Sequence, residues 1–439
     1  MKTTPSAPHF FQGLFLAGFL GGLVLLGGLA PLGAQEAEAL FDDFTLLVEE
    51  EDSQLTETGF QDFLTNEAPL LGGSFYLQGQ GALSLKEGTS LSDTLTSAQL
   101  KGVLFLDARP DPDFRFFAKG EVEYLYDGTS TLPQFRLMEI FTDIPLGEGV
   151  QMRAGKQALK WGVGYQFSPA DLVSLSRLNP ADPEATREGP IALKLQKAFG
   201  STTLQLIVPM DEMFKGGKPA LAPKVEFLLG NTELGLSGLY QYDKPSSLAA
   251  TVSTNVWGLD LYGEAVAQYG SSVKILQYTG PLLTAAYKPD QWYPLATAGT
   301  RFNWTDDDGW FNLFFNAQYS FNSQGYSDTA ILKDPQLAPL IFLNTITSND
   351  LRNPGIHYLG AFLNWSKIFT LPFNFGAFGT YNLSDNTGIV DVNLTLTTLE
   401  KLTLALGLTS SYGEAGGQFT SAVPNPVLYL RVKMGTGEF

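Results

Sequence analysis

Apolar and polar residues alternate along most of this chain with a period of two. From Phe75 onward, Phe75, Leu77, Gly79, Gly81, Leu83 and Leu85 share one face, while Tyr76, Gln78, Gln80 and Ser84 share the other. The stretch from Phe114 is cleaner. Phe114, Phe116, Ala118, Gly120, Val122, Tyr124 and Tyr126 lie on one side, and Arg115, Lys119, Glu121, Glu123 and Asp127 on the other, broken only by Phe117 and Leu125. Successive side chains of a strand point to opposite faces, so the pattern predicts strands with one apolar and one wet face. Similar alternation recurs in 257–269, 311–321, 390–396 and 402–408, and a helical period fits none of these windows.

Eighteen strands are predicted, at 74–85, 98–108, 114–126, 134–144, 150–161, 190–199, 201–209, 223–229, 233–242, 248–254, 256–269, 295–304, 310–322, 356–365, 373–382, 389–397, 402–411 and 426–434. The weakest are 134–144, where Glu139 stands among apolar residues, and the short pairs 201–209/223–229 and 233–242/248–254; loss of one hairpin would leave sixteen. The connections fall into two groups. Those after odd strands are the longer ones, with 162–189, 270–294 and 323–355 the longest, whereas those after even strands are as short as Gly200 or Asn255. Outer-membrane barrels have short periplasmic turns and longer outer loops. The chain is therefore expected to be all-β, an antiparallel up-and-down transmembrane barrel with both termini in the periplasm. Hydrocarbon offers no hydrogen-bond partner, so such strands must close on themselves. Closure of sixteen to eighteen strands leaves a water-filled lumen, whereas eight are filled by side chains.

Composition agrees. Charged residues make up 16% of the chain and aromatics 13%, against about 25% charged in a soluble globular protein. After residue 34 no apolar run approaches the roughly 18 residues a membrane helix needs. The 46 glycines are scattered along strand faces, with no glycine-rich phosphate loop. The formal charge of −18 without a basic run speaks against nucleic acid. Zero cysteines remove a disulfide framework, a thiolate metal site and a cysteine nucleophile.

Two segments precede the strands. Lys2, an apolar stretch from Leu14 to Leu29 and the small residues around Gly33-Ala34 predict a signal peptide over 1–34, cleaved after Ala34 or a few residues later after Ala39. Eleven acidic residues and no Lys or Arg lie between Glu36 and Glu67. The span 35–70 reads as a solvated periplasmic arm with one or two amphipathic turns, or as a plug in the lumen. The barrel is expected over 71–439. Its terminal Phe439 and last strand are the expected handle for the barrel-assembly machinery, although Gly435-Thr-Gly-Glu438 lacks the alternating aromatics of a strong signal.

The chemistry of a pore is the placement of charges and hydrogen-bonding groups along the path of a solute. The polar faces offer Lys101, Asp107, Arg115, Lys119, Glu121, Glu123, Arg153, Gln157, Asp260, Glu264, Gln268, Arg301 and Asp391. Opposed charges across a lumen would favour polar or zwitterionic solutes; the plainer alternative is that wall charges pair with their neighbours and keep the lumen wet.

The most distinctive segment runs from Arg153 to Asp171. Its Gly155-Lys156-Gln157, Trp161-Gly162 and Pro169-Ala170-Asp171 resemble the Gly-Lys/Arg-Gln-x3-Trp-Gly…Pro-x-Asp signature of several families of bacterial outer-membrane porin-like barrels. The resemblance covers these residues and, beyond them, only the general barrel pattern. It implies a strand end opening into an outer loop. Gln157 and Trp161 are expected to face the lumen, Gly162 and Gly164 to allow a turn, and Ser168-Pro169 to start a helix. A structural corner and a substrate site are both open readings, the corner being favoured. In porins one long loop often narrows the barrel, and the sequence does not choose among 162–189, 270–294 and 323–355.

Of two histidines, His9 falls within the signal, and His357 alone gives little basis for Ser–His or Asp–His catalysis. No cofactor and no enzyme activity are expected. A passive pore for small polar solutes in the outer membrane is the leading reading, with membrane lipid as surroundings and a homotrimer as one assembly open to a barrel of this size. A plugged channel for a hydrophobic or specific solute and a barrel-anchored surface or envelope-assembly scaffold are the alternatives.

Overall fold

The structure, a computed structural model, describes residues 70–86, 94–111, 114–126, 131–174, 188–242, 244–306, 311–368, 371–399 and 402–435, with Gly88 and Ser90. The expected signal, the acidic segment up to Pro69 and Phe439 lie outside the described residues.

Among the described residues twenty strands follow one another: β1 (Leu70–Ser84), β2 (Leu95–Asp111), β3 (Phe114–Tyr126), β4 (Thr131–Pro145), β5 (Val150–Lys156), β6 (Ile191–Phe199), β7 (Thr202–Pro209), β8 (Ala220–Leu229), β9 (Thr232–Gln241) and β10 (Ser246–Val256) form the first half. The second half is β11 (Leu259–Tyr269), β12 (Ile275–Thr279), β13 (Leu282–Ala286), β14 (Trp292–Thr305), β15 (Asn312–Asn322), β16 (His357–Ser366), β17 (Phe373–Asn382), β18 (Thr387–Leu399), β19 (Leu402–Gly413) and β20 (Val427–Gly435). Eighteen of them make one antiparallel sheet in chain order, and β1 pairs with both β2 and β20, so the sheet has no free edge. The other two, β12 and β13, form a separate hairpin. Each predicted strand has its counterpart, and the weak pairs at 201–229 and 233–254 are full members of the wall.

Four expectations need correction. The fifth strand ends at Lys156 and not at Trp161; Gly155 there has φ +131°, and a Cβ on it would stand 2.2 Å from the Ile140 carbonyl oxygen, so the chain leaves the wall where only glycine fits. The turn between β10 and β11 is Trp257-Gly258 and not Asn255, with φ of +54° and +82°, the left-handed pair that a two-residue hairpin turn requires. The span 270–294 is not a bare loop, because β12 and β13 lie within it. The fourth is the phase of β4. Its register steps from Lys119↔Glu139 to Gly120↔Leu137, which leaves Met138 as an extra residue. This bulge puts Arg136 and Glu139 on the same inner face and removes the conflict that made the strand look weak.

Outward faces carry Leu71, Leu77, Leu104, Phe135, Leu236, Leu248, Leu394 and Leu406, all among the exposed large apolar side chains. A belt of this kind running round the barrel is costly in water and suited to hydrocarbon. Exposed aromatics mark both rims: Phe199, Trp257 and Trp304 at the short-turn end, and Tyr126, Tyr240, Tyr269, Trp292 and Tyr412 at the long-loop end. Tyr269 packs against Trp292 at 5.1 Å between ring centroids, and Tyr381 stacks on Tyr412 at 5.7 Å. Aromatic girdles are the ordinary boundary of a membrane barrel, because their amphipathic rings settle at the headgroup level.

Candidate functional site

The strand register turns the alternation into an inner wall. Lys101, Arg115, Lys119, Glu121, Glu123 and Arg153 all fall on the inner faces of β2, β3 and β5, as do Asp260 and Glu264 on β11 and Arg301 on β14. Most of these charges are paired locally. Lys101 meets Glu121 at 2.8 Å, Arg136 bridges Glu121 and Glu123 at 2.5 Å each, and Arg115 forks onto Asp107 at 2.9 Å. Arg153 grips Asp143 through two hydrogen bonds of 2.6 and 2.8 Å, and Arg301 stands 3.7 Å from Asp260. Lys119 lies opposite Glu139 in register. The two apolar interruptions of the third strand also acquire meaning at Phe117. Its ring stacks between Phe105 and Phe141, and these rings support the guanidiniums: Arg115 lies 4.9 Å above Phe117, and Arg153 lies 3.9 Å above Phe141. A planar cation laid on aromatic faces keeps its fork oriented while its edge stays hydrated.

Beyond Lys156 the chain turns into the barrel. The Gln157 side chain is buried on this segment and donates to the Ala192 carbonyl at 3.0 Å. Leu159, Trp161 and Val173 then pack on the small or branched inner residues Ala192, Ile207 and Ala222 of β6, β7 and β8. Further along, Glu264 collects the segment. Its carboxylate accepts the Val163 and Gly164 N–H groups at 2.6 Å each, the Ser168 hydroxyl at 2.9 Å and the Ala170 N–H at 2.8 Å. Gln318 on β15 accepts the Gln166 N–H at 2.8 Å and donates to the Phe167 carbonyl. Tyr165 enters a cluster with Tyr262, Phe362 and Phe378, and Phe167 packs on Tyr358 with 5.6 Å between centroids. Residues 157–174 therefore line the inner wall from β6 to β16.

Two details depart from the sequence expectation. Ser168 caps no helix. The Asp171 N–H instead closes a turn onto the Ser168 carbonyl at 3.2 Å, because Glu264 has taken the Ser168 hydroxyl and the neighbouring N–H groups that a helix start would use. Trp161 does not look into open lumen but is 4% exposed, and its backbone N–H donates to the Asp171 carboxylate at 3.1 Å. The glycines of the motif are required by space. A Cβ on Gly162 would meet Ser168 Oγ at 1.7 Å, and one on Gly164 would meet the Phe167 carbonyl oxygen at 2.0 Å.

The lumen is thereby divided into unlike halves. Inner residues of β11 and β15–β19, such as Gln318, Asn316, Tyr358, Phe378, Asn382, Asp391 and Thr409, are buried. Asp391 accepts hydrogen bonds from Thr409 at 2.6 Å and Tyr429 at 3.1 Å, and the loop helix Gln418–Ala422 packs Phe419 and Val423 over Tyr358 and Ile389. On β1–β5 the inner residues Gln78, Gln99, Lys101, Arg115, Lys119, Glu123, Arg136 and Arg153 keep contact with solvent. Water thus reaches the charged half, while the amide-rich and aromatic half is covered by the chain's own segments.

Over the outer mouth the loops between β11 and β14 and between β15 and β16 form one body. The β12–β13 hairpin buries Leu276 and Leu283 against Leu337 and Ile346, and the Leu276 N–H donates to the Tyr326 hydroxyl at 2.7 Å. Burial opposes ionisation of Asp350, but hydrogen bonds from the Lys274 N–H at 2.9 Å and from the Thr347 N–H and hydroxyl hold its carboxyl below the ordinary value.

Alternation could have revealed Lys194 and Gln318, which sit on polar faces of predicted strands. Arg136 was hidden by the Met138 bulge. No local pattern announces that Glu264 and Gln318 serve a segment about 100 and 150 residues away. His357 lies at the outer rim, with its Nδ1 2.7 Å from the Tyr319 hydroxyl and its ring against Tyr319 and Phe321.

A closed eighteen-stranded wall with an apolar belt, aromatic rims and a charged, solvated inner face defines a porin-like β-barrel of a bacterial outer membrane. No family model matches the sequence, and no curated protein matches it. Among solved structures, the chain is similar to Acinetobacter baumannii OccAB1 (12% identity, 84% of this chain and 96% of that one, TM-score 0.48). It is also similar to Pseudomonas aeruginosa OpdL (8% identity, 84% and 98%, TM-score 0.46) and to an engineered Rhodopseudomonas blastica porin (12% identity, 84% and 100%, TM-score 0.41).

Proposed function

We propose that the barrel is a passive channel for small polar solutes and not an enzyme, and that solutes travel along the charged half of the lumen. The observation that carries this is the asymmetry of the inner wall: most inner charges of β1–β5 stay partly exposed, while residues 157–174 and 418–422 cover inner residues of β6–β8, β11 and β15–β18. Facing rows of paired charges create a transverse field that orients dipolar solutes without a tight binding site. The inserted segment acts as the narrowing element, and its likeness to the porin-like signature at Gly155-Lys156-Gln157, Trp161-Gly162 and Pro169-Ala170-Asp171 supports that role.

Three further assignments accompany this reading. Residues 1–34 direct export, residues 35–70 form a periplasmic arm, and the last strand with Phe439 is handed to the assembly machinery. A homotrimer is the proposed assembly. The test of the channel is single-channel recording of the refolded mature protein in a planar bilayer. Stable ohmic steps are expected. A correctly folded barrel that never conducts would overturn the channel and favour a plugged or scaffolding barrel, which recordings of a chain lacking residues 35–70 would separate.

A further inference from the structure

The inner wall at β5–β8 is not electrically neutral. Arg153 and Lys194 are direct register neighbours on β5 and β6, and Lys224 lies two strands further on β8. The charged groups acting on Lys194 are Arg153, Asp143, Glu226 and Lys224, drawn from β4, β5 and β8. Each carboxylate is already committed. Asp143 takes both prongs of Arg153 at 2.6 and 2.8 Å, and Glu226 takes Lys224 at 2.5 Å, with Gln205 donating to it at 3.3 Å. Lys224 is doubly used, since its ammonium also donates to the Trp161 carbonyl of the inserted segment at 3.3 Å. Three cations face two carboxylates, and of these three Lys194 is the one to which the described residues offer no ion-pair partner. An ammonium held on a wall beside satisfied pairs has only water and passing solutes to balance it.

We infer that Lys194 is the selectivity-determining residue of the conduit, giving it a preference for small anions over small cations. Arg153, fixed on the Phe141 ring with its guanidinium edge partly solvated, supplies a second favourable contact one strand away. An anion leaving Arg153 meets Lys194 next, at the edge of the open half where the inserted segment begins to cover the wall, and both side chains stay partly exposed, so binding stays weak enough for passage. The inference rests on the open-channel reading above.

The experiment is reversal potential in a potassium chloride gradient across a planar bilayer, with wild type, Lys194→Gln, Lys194→Arg and Lys194→Glu refolded in parallel. The wild type is expected to pass chloride in preference to potassium. Lys194→Gln should lower the chloride-to-potassium permeability ratio about fivefold, equivalent to ~1 kcal/mol, the scale of two unit charges about 4 Å apart in water. Lys194→Arg should retain the ratio and Lys194→Glu should invert it, all at near-normal step size. Ohmic steps with a potassium preference in wild type, or an unchanged ratio in Lys194→Gln, would overturn the assignment and leave the channel standing. Folded protein without steps would overturn both.

Discussion

The Glu264 carboxylate on β11 accepts the backbone N–H of Gly164 at 2.6 Å, and through the same two oxygens it holds three more donors of the inserted segment. One wall residue thus anchors the element that narrows the barrel. Glu264→Ala would leave these donors facing an interior without acceptors, at about 1–3 kcal/mol for each one left unpaired. The segment is expected to leave the wall, so single-channel conductance should rise and become noisy, whereas Glu264→Gln, which keeps one carbonyl acceptor, should fall between. Step sizes for Glu264→Ala indistinguishable from wild type would show that the segment does not depend on this anchor.

Gly155 sits where the strand gives way to the insertion. Its φ of +131° is disfavoured for a side-chain-bearing residue, and a Cβ would press on the Ile140 carbonyl oxygen and the Phe141 Cα at 2.2 and 2.8 Å. Gly155→Ala is expected to cost about 1–3 kcal/mol in stability and to let β5 run on toward Trp161, displacing Gln157 from Ala192. A urea titration of heat-modifiable gel mobility reads the first effect. Gly102→Ala, at a site with open space around the new methyl group, is the comparison, and equal midpoints for the two variants would refute the strain.

The wall was legible because its cause is local. Period-two alternation and turn residues are properties of neighbouring positions, and they placed all eighteen strands, including those with few residues. The bulge at Met138 was not legible, since an added residue is defined only against the partner strand. Gln157, read as part of the fifth strand, lies beyond its end and is buried, but candidates such as Lys101, Arg115 and Lys119 were recognisable as inward-facing for the same reason that the strands were. Their partners were not, except in register: Arg115 lies across from Asp143 by strand pairing yet binds Asp107. The inserted segment was visible as a motif but not as a lining, because Glu264, Gln318 and Tyr165 are brought together by closure of the barrel and by nothing near them in sequence.

Position on the wall also decides what a charge costs. Leu406 points outward from the middle of β19 and is 52% exposed, whereas Thr403 on the same strand faces inward. Leu406→Arg would put a cation into hydrocarbon at about 2–4 kcal/mol near the membrane midplane. Thr403→Arg should be tolerated in stability and altered in ion preference. Refolding yield into lipid vesicles measures the first and reversal potential the second. Equal yields for the two variants would contradict the assignment of faces.

Asp350 ties the two long outer loops together, because it accepts the Lys274 N–H from one loop and caps Thr347 in the other. These hydrogen bonds hold its carboxyl below the ordinary carboxylate value, which it would regain once the loops separate. A depressed folded-state value means that the stabilisation is present above the unfolded value and is lost as pH falls through the folded one. The loops should therefore hold together at neutral pH and down to about pH 4, then loosen in stronger acid, while the barrel wall stays folded. Hydrogen exchange at the Lys274 amide, corrected for its intrinsic pH dependence, should show protection at pH 6 that declines below that range. In Asp350→Asn the protection should be reduced at pH 6 and should no longer decline with acid. If the variant keeps the acid-dependent loss, another group links the loops.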